Sequence, residues 1–167
     1  MSSATLSLSV EEYLSSSFKP GCEYIDGVLR HKPMPTKLHA LIQFLLVTAL
    51  RRQGFEALAE VTVRVSATQF LIPDVIADVR IEDPYPTQPV ALCVEILSPE
   101  DRLSSAFAKC EEYHAWGVPY CWVVDPVKQT AWEYHAHCDP TRIERGATLG
   151  AGKLTASLDA LFSDQEK

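Results

Sequence analysis

Two carboxylates stand where the chain is otherwise apolar. Asp74 heads the run Ile72-Pro73-Asp74-Val75-Ile76-Ala77-Asp78, and Glu95 lies inside Ala91-Leu92-Cys93-Val94-Glu95-Ile96-Leu97. A carboxylate within a buried strand is costly unless it is paired, protonated or bound to a metal. Side chains alternate along a strand, so Asp74, Ile76 and Asp78 share one face, as do Cys93, Glu95 and Leu97. If the two strands are neighbours, Asp74 and Glu95 meet near the strand ends. Two hard oxygen ligands with room for water suit Mg²⁺ or Mn²⁺, and that arrangement serves metal-assisted phosphodiester hydrolysis. Such chemistry also needs a cation near the attacking water. Arg102, Ala106, Lys109, Tyr113 and Trp116 follow one another at helical spacing and form one face, from which Lys109 could reach the carboxylates. On residue type alone Tyr113 and Trp116 read as packing groups.

The elements that must position these residues are legible in turn. Ser9-Val10-Glu11-Glu12 is a capping-box pattern that opens a helix from Val10 to about Ser16, stopped by Lys19-Pro20-Gly21. Cys22 to Ile25 and Val28 to His31 flank Asp26-Gly27 and read as a β-hairpin. Thr36 caps a helix running to Gln53, with an apolar stripe from Leu38 to Ala49 and Gly54 as terminator. Strands are expected over Phe55–Leu58, Val61–Val65, Val75–Ile81 and Ala91–Leu97, the last apolar on both faces as a covered central strand should be. Ser98-Pro99-Glu100-Asp101 opens a helix to Trp116, with Leu103, Phe107 and Cys110 as its core positions, and Tyr120–Val124 is a further apolar strand. Residues 91–124 therefore form a βαβ unit with a parallel strand pair. Strands over Thr130–His135 and Arg142–Glu144 and a short helix over Leu158–Phe162 complete the sheet and the chain.

Other features bound the function. At 167 residues and 47% hydrophobic composition the expectation is one domain over residues 1–167. No stretch approaches bilayer length and the first residues lack a signal-peptide pattern, so no membrane is expected and the cytoplasm is. The five cysteines form no C-x-x-C pair and read as reduced thiols. A net charge of −7 opposes nucleic-acid binding by bulk electrostatics. The segment from Gly27 to Phe55, however, has no acidic residue and carries Arg30, Lys32, Lys37, Arg51 and Arg52, leaving a locally basic approach open beside the reading of solvated helix ends. A rival zinc site would use Cys110, His114, His135, His137 and Cys138, but the spacings match no familiar module.

A family resemblance runs through the same residues. Glu23-Tyr24-Ile25-Asp26-Gly27, His39, Pro73-Asp74, Val94-Glu95-Ile96-Leu97-Ser98-Pro99, Arg102, Lys109, Tyr113, Gly117-Val118-Pro119 and Trp122-Val123-Val124-Asp125-Pro126 together resemble the Uma-two family of restriction-endonuclease-like, PD-(D/E)xK domains. The likeness spans roughly residues 10–126, leaving C-terminal strands and a short helix over 127–167. It implies an α/β (α+β) fold in which a mixed sheet is flanked by helices, preceded by an N-terminal helix and hairpin. It also implies a Mg²⁺- or Mn²⁺-dependent endonuclease acting on DNA, with Asp74 and Glu95 as metal ligands and Lys109 as a catalytic lysine moved from strand to helix. Glu23, His39 and Tyr113 would support the site, and a twofold homodimer follows by analogy. Two positions depart from the pattern around the lysine: Leu97 stands two residues after Glu95, where the superfamily lysine usually falls, and Ser105 replaces an aspartate four residues before Lys109. The acidic residue that often follows the turn glycine is Val28. These departures keep open a second class of function, a nuclease-fold binding module without hydrolytic activity.

Overall fold

A computed structural model of the chain describes residues 7–18 and 21–163. Lys19 and Pro20, expected to stop the first helix, lie outside the described residues, as do residues 1–6. In chain order the elements are α1 (Val10–Leu14), β1 (Cys22–Ile25), β2 (Val28–His31), α2 (Lys37–Arg52), β3 (Glu56–Ala59), β4 (Val63–Ser66), β5 (Gln69–Leu71) and β6 (Val75–Asp78). There follow β7 (Leu92–Ile96), α3 (Leu103–Trp116), β8 (Tyr120–Asp125), β9 (Thr130–His135), β10 (Thr141–Ile143), β11 (Thr148–Ala151), β12 (Leu154–Ser157) and α4 (Leu158–Phe162).

The local signals in the sequence act as expected at most of these boundaries. Ser9 and Glu12 form a complete capping box, and Thr36 accepts a hydrogen bond from the His39 amide to cap α2. Asp26 and Gly27 both adopt positive φ, 49° and 91°, which the tight β1–β2 turn requires. The helix before Trp116 begins later than the sequence implies. Asp101 turns its carboxylate back onto the Ser98 amide at 2.7 Å and closes a local turn, so α3 starts at Leu103 with no side-chain cap.

The strands divide among three sheets rather than completing one. A six-stranded sheet has the order β10-β9-β8-β7-β6-β3, a four-stranded sheet the order β2-β1-β5-β4, and β11 pairs with β12 alone. In the larger sheet β7 and β8 run parallel and the remaining pairs antiparallel, a mixed sheet with the expected strand–helix–strand unit at its centre. Its two faces carry separate cores. Val75, Ala77, Leu92, Val94, Ile96 and Trp122 pack with Ile42, Leu46 and Leu50 of α2 and with β11, β12 and α4. Ile76, Cys93, Leu97, Cys121 and Val123 pack with Ala106, Cys110 and Tyr113 of α3. Ala106 and Tyr113, on the Lys109 face of α3, are therefore as buried as Cys110. Among the described residues no helix is long and apolar enough to cross a membrane, and no cysteine is in a disulfide.

Candidate active site

The register of β6 and β7 decides whether the two carboxylates meet. Val75 pairs with Val94 and Ile76 with Cys93, antiparallel, which brings Asp74, the residue just before β6, to the end of β7 that carries Glu95, and both line one cleft. Both are buried, at 3% and 7% exposure. Asp74 Oδ2 accepts the Ile96 amide of the neighbouring strand at 2.7 Å, which fixes the aspartate beside the end of β7.

Lys109 reaches the carboxylates from α3. Its Nζ lies 3.1 Å from Glu95 Oε2 and 3.1 Å from Glu23 Oε1. Glu23 comes from β1, so the smaller sheet supplies one wall of the site. Its Oε1 also accepts the Ile72 amide at 2.9 Å, and its Oε2 accepts Arg30 Nε at 2.6 Å. Arg30 in turn grips Glu112 of α3 with both terminal nitrogens, at 3.0 and 3.1 Å, tying β2 to the helix that carries Lys109. Tyr113, fully buried one turn beyond Lys109, donates its hydroxyl to Glu95 Oε1 at 2.5 Å. It is thus more than the packing group its residue type implies. His39 Nε2 lies 3.3 Å from Asp74 Oδ2.

Three residues that sequence reasoning did not place in the site surround Asp74. Lys32, immediately after β2, donates to Asp74 Oδ1 at 2.8 Å and to Glu60 Oε2 at 3.0 Å. Gln43, one turn after His39, donates to the Asp74 carbonyl at 2.7 Å and to Glu60 Oε1 at 2.9 Å. The i, i+4 pair His39 and Gln43 was visible in the sequence as one helical face; Glu60, in a turn with φ of 57°, carried no pattern at all.

The electrostatics follow from this crowding. Burial disfavours the Asp74 charge, but hydrogen bonding from His39 and the nearby Lys32 outweigh it and hold the carboxyl well below its ordinary value. Burial raises Glu95 above the ordinary glutamate value, with Asp74 adding to the rise and Lys109 opposing it. Burial also opposes charge on Lys109, yet Glu95, Glu23 and Asp74 keep its pKa above the usual lysine value, so it is a firm ammonium. The direct ion-pair network contains five acids, Glu23, Glu60, Asp74, Glu95 and Glu112, against three permanent cations, Arg30, Lys32 and Lys109, with His39 as a titrating fourth. A site of hard oxygens that is short of positive charge fits a divalent ion of the Mg²⁺ class. Apart from Glu112, these side chains line a cleft of about 460 Å³, which also takes in Ser98, Arg102 and Ser105.

Leu97, in the usual lysine place, is 8% exposed and packs with the α3 core. Among the described residues no group of three or more His, Cys, Asp or Glu side chains is arranged to hold a metal. His114 Nδ1 instead contacts the Val118 carbonyl and His135 Nε2 the Gly150 carbonyl, each within 3.0 Å, so the rival zinc grouping does not assemble. Asp78, at the end of β6, is half-buried and accepts the Ala91 amide at 2.9 Å, starting the approach to β7. Of the five cations in the acid-free segment, Arg30 and Lys32 are turned inward onto site carboxylates.

The model of the Uma2 family, described as putative restriction endonucleases, matches residues 10–161. The chain belongs to this family. The match takes in the strands and helix beyond residue 126, so the Uma2 pattern extends over the C-terminal elements that pack beneath α2. No curated protein matches the chain. Among solved structures, the crystal structure of a putative nuclease belonging to DUF820 from Anabaena variabilis is similar at a TM-score of 0.75 and 22% identity, covering 93% of this chain and 98% of that one. The Uma2 chain therefore has the mixed α+β fold of that protein, with sheets flanked by helices.

Proposed function

We propose that this Uma2-family chain is a Mg²⁺-dependent endonuclease that hydrolyses DNA phosphodiester bonds in the cleft between Asp74, Glu95 and Lys109. The observation that carries the reading is their convergence: two buried carboxylates lining one cleft, Asp74 held against the end of β7 by the Ile96 amide and Glu95 within β7, with a helix-borne ammonium 3.1 Å from Glu95. Asp74 and Glu95 would hold Mg²⁺, or Mn²⁺ in its place. When bound, such an ion supplies Lewis acidity toward the phosphoryl oxygens and activates the attacking water.

The chain's own groups divide the remaining work. Lys109, held as an ammonium, cannot accept a proton; it orients the attacking water or stabilises charge on the phosphate oxygens. Glu23 positions Lys109, and Arg30 positions Glu23. Tyr113 fixes the rotamer of Glu95 through Oε1, which leaves Oε2 toward Lys109. His39 keeps Asp74 ionised and aimed. Two copies related by a twofold axis would present one cleft to each strand of a duplex.

The test is incubation of supercoiled plasmid and single-stranded DNA with the purified protein in Mg²⁺, in Mn²⁺ and in excess EDTA. Cleavage that needs the divalent ion supports the nuclease. DNA binding with no cleavage under any of these conditions overturns it in favour of the binding module that Leu97 and Ser105 leave open.

A further inference from the structure

Lys32 differs from Lys109 in how its ammonium is used. An ammonium carries three N–H donors. Lys32 places all three on protein oxygens: Asp74 Oδ1 at 2.8 Å, the Ile72 carbonyl at 2.8 Å and Glu60 Oε2 at 3.0 Å. Its side chain is only 12% exposed, so little water competes for those contacts. No N–H remains for a substrate phosphate, which separates Lys32 from a phosphate-binding lysine.

The three acceptors are two carboxylate oxygens and one backbone carbonyl, a donor set that hard divalent cations take. They are also held in place without Lys32. Asp74 is fixed by the Ile96 amide, and Glu60 by Gln43, whose amide also holds the Asp74 carbonyl. Lys32 itself is delivered by backbone pairing, its amide donating to the Gly21 carbonyl at 2.9 Å. Oxygens prearranged around a point, with an ammonium inserted at that point, describe a cation site whose occupant is covalently tethered.

We infer that the Lys32 ammonium is a built-in cation filling a divalent-cation site made by Asp74 Oδ1, Glu60 Oε2 and the Ile72 carbonyl. The chain then holds one metal ion, at Asp74 and Glu95, where its oxygens could hold two. This rests on the metal reading of Asp74 and Glu95, and the experiment separates the two claims. Ca²⁺ is the probe that demands least movement, because its oxygen distances of about 2.3–2.6 Å are nearest to those around Lys32.

Calorimetric titration with Ca²⁺ compares the parent, Lys32→Met, and Lys32→Met combined with Glu60→Gln. The expected stoichiometries are one, two and one per chain, with a larger upward shift of the Lys32→Met melting midpoint in Ca²⁺ than the parent shows. Lys32→Gln is measured alongside so that misfolding of one variant, detected by circular dichroism, does not decide the outcome. Lysine variants that bind the same number of ions as the parent overturn the inference. A parent that binds none overturns the Asp74–Glu95 metal reading alone, since the gain or absence of one ion in the lysine variants still decides the role of Lys32.

Discussion

Glu95 shows how much of the site depends on single contacts. It is a carboxylate in a central strand of a covered sheet, and each of its oxygens has a donor, Tyr113 on Oε1 and, on Oε2, the Lys109 ammonium that it shares with Glu23. Tyr113→Phe removes a buried donor and leaves Oε1 unpaired, which costs the desolvation of that oxygen, about 1–3 kcal/mol. Urea unfolding of Tyr113→Phe against the parent measures it, and a difference below about 0.5 kcal/mol would show that Tyr113 is a packing group after all. The same residue marks a limit of the sequence. Asp74, Glu95 and Lys109 were readable because period-two and helical spacing put each on a defined face. The hydroxyl of Tyr113 was not, because an aromatic on a helix stripe looks the same whether or not its oxygen has a partner. Lys32 and Glu60 were invisible for a related reason: a loop residue and a turn residue follow no period, and only the folded chain brings them to Asp74.

At the scale of elements, α3 is the part that was hardest to delimit and matters most. It carries Lys109, Tyr113 and Glu112 toward three different partners, and its first turn stands uncapped at the cleft with Arg102 at the N-cap position. In the sequence Ser98-Pro99-Glu100-Asp101 opens the helix, but the Asp101 carboxylate is consumed by the Ser98 amide. Arg102→Ser supplies the missing cap and is expected to raise stability by about 0.5–1 kcal/mol while weakening DNA binding. Thermal unfolding and a fluorescence-anisotropy titration measure the two effects; a variant that is neither more stable nor weaker in binding would remove Arg102 from the cleft's function. Short strands were the other omission. Gln69–Leu71 spans three residues, and the β11–β12 hairpin alternates small residues with no β-branched run to announce it. Both nevertheless matter, β5 by pairing with β1 beneath Glu23 and β11–β12 by closing the core under α2.

For the molecule as a whole, charge and topology have to be reconciled with an anionic substrate. The chain carries −7 overall, and two of the cations that seemed to offer a basic approach are inside the site neutralising carboxylates. Few residues are left to release counterions from DNA. If Arg102 and Lys109 make the phosphate contacts, affinity should fall only about tenfold between 50 and 200 mM salt, whereas a protein gripping six or more phosphates loses about a thousandfold or more. Anisotropy titrations over that range distinguish the two, and a steep slope would point to a basic surface elsewhere on the molecule. The three-sheet arrangement was not legible in the sequence, which offers no sign of which strands exchange partners. It explains why the site is built as it is. The larger sheet supplies Glu95 and, from the residue that leads into β6, Asp74; the four-stranded sheet supplies Glu23 and Arg30, and α3 bridges the two through Lys109 and Glu112.

On the proposed reading Asp74, Glu95 and Lys109 act as one catalytic centre. The measurement that tests it most directly is the single-turnover rate of plasmid nicking in Mg²⁺ by Asp74→Asn, Glu95→Gln and Lys109→Met, each confirmed folded by circular dichroism. Near-isosteric replacements leave the cleft filled while removing the charges. Each is expected to slow nicking by about a hundredfold or more, whereas nicking within about twofold of the parent by all three would contradict the assignment.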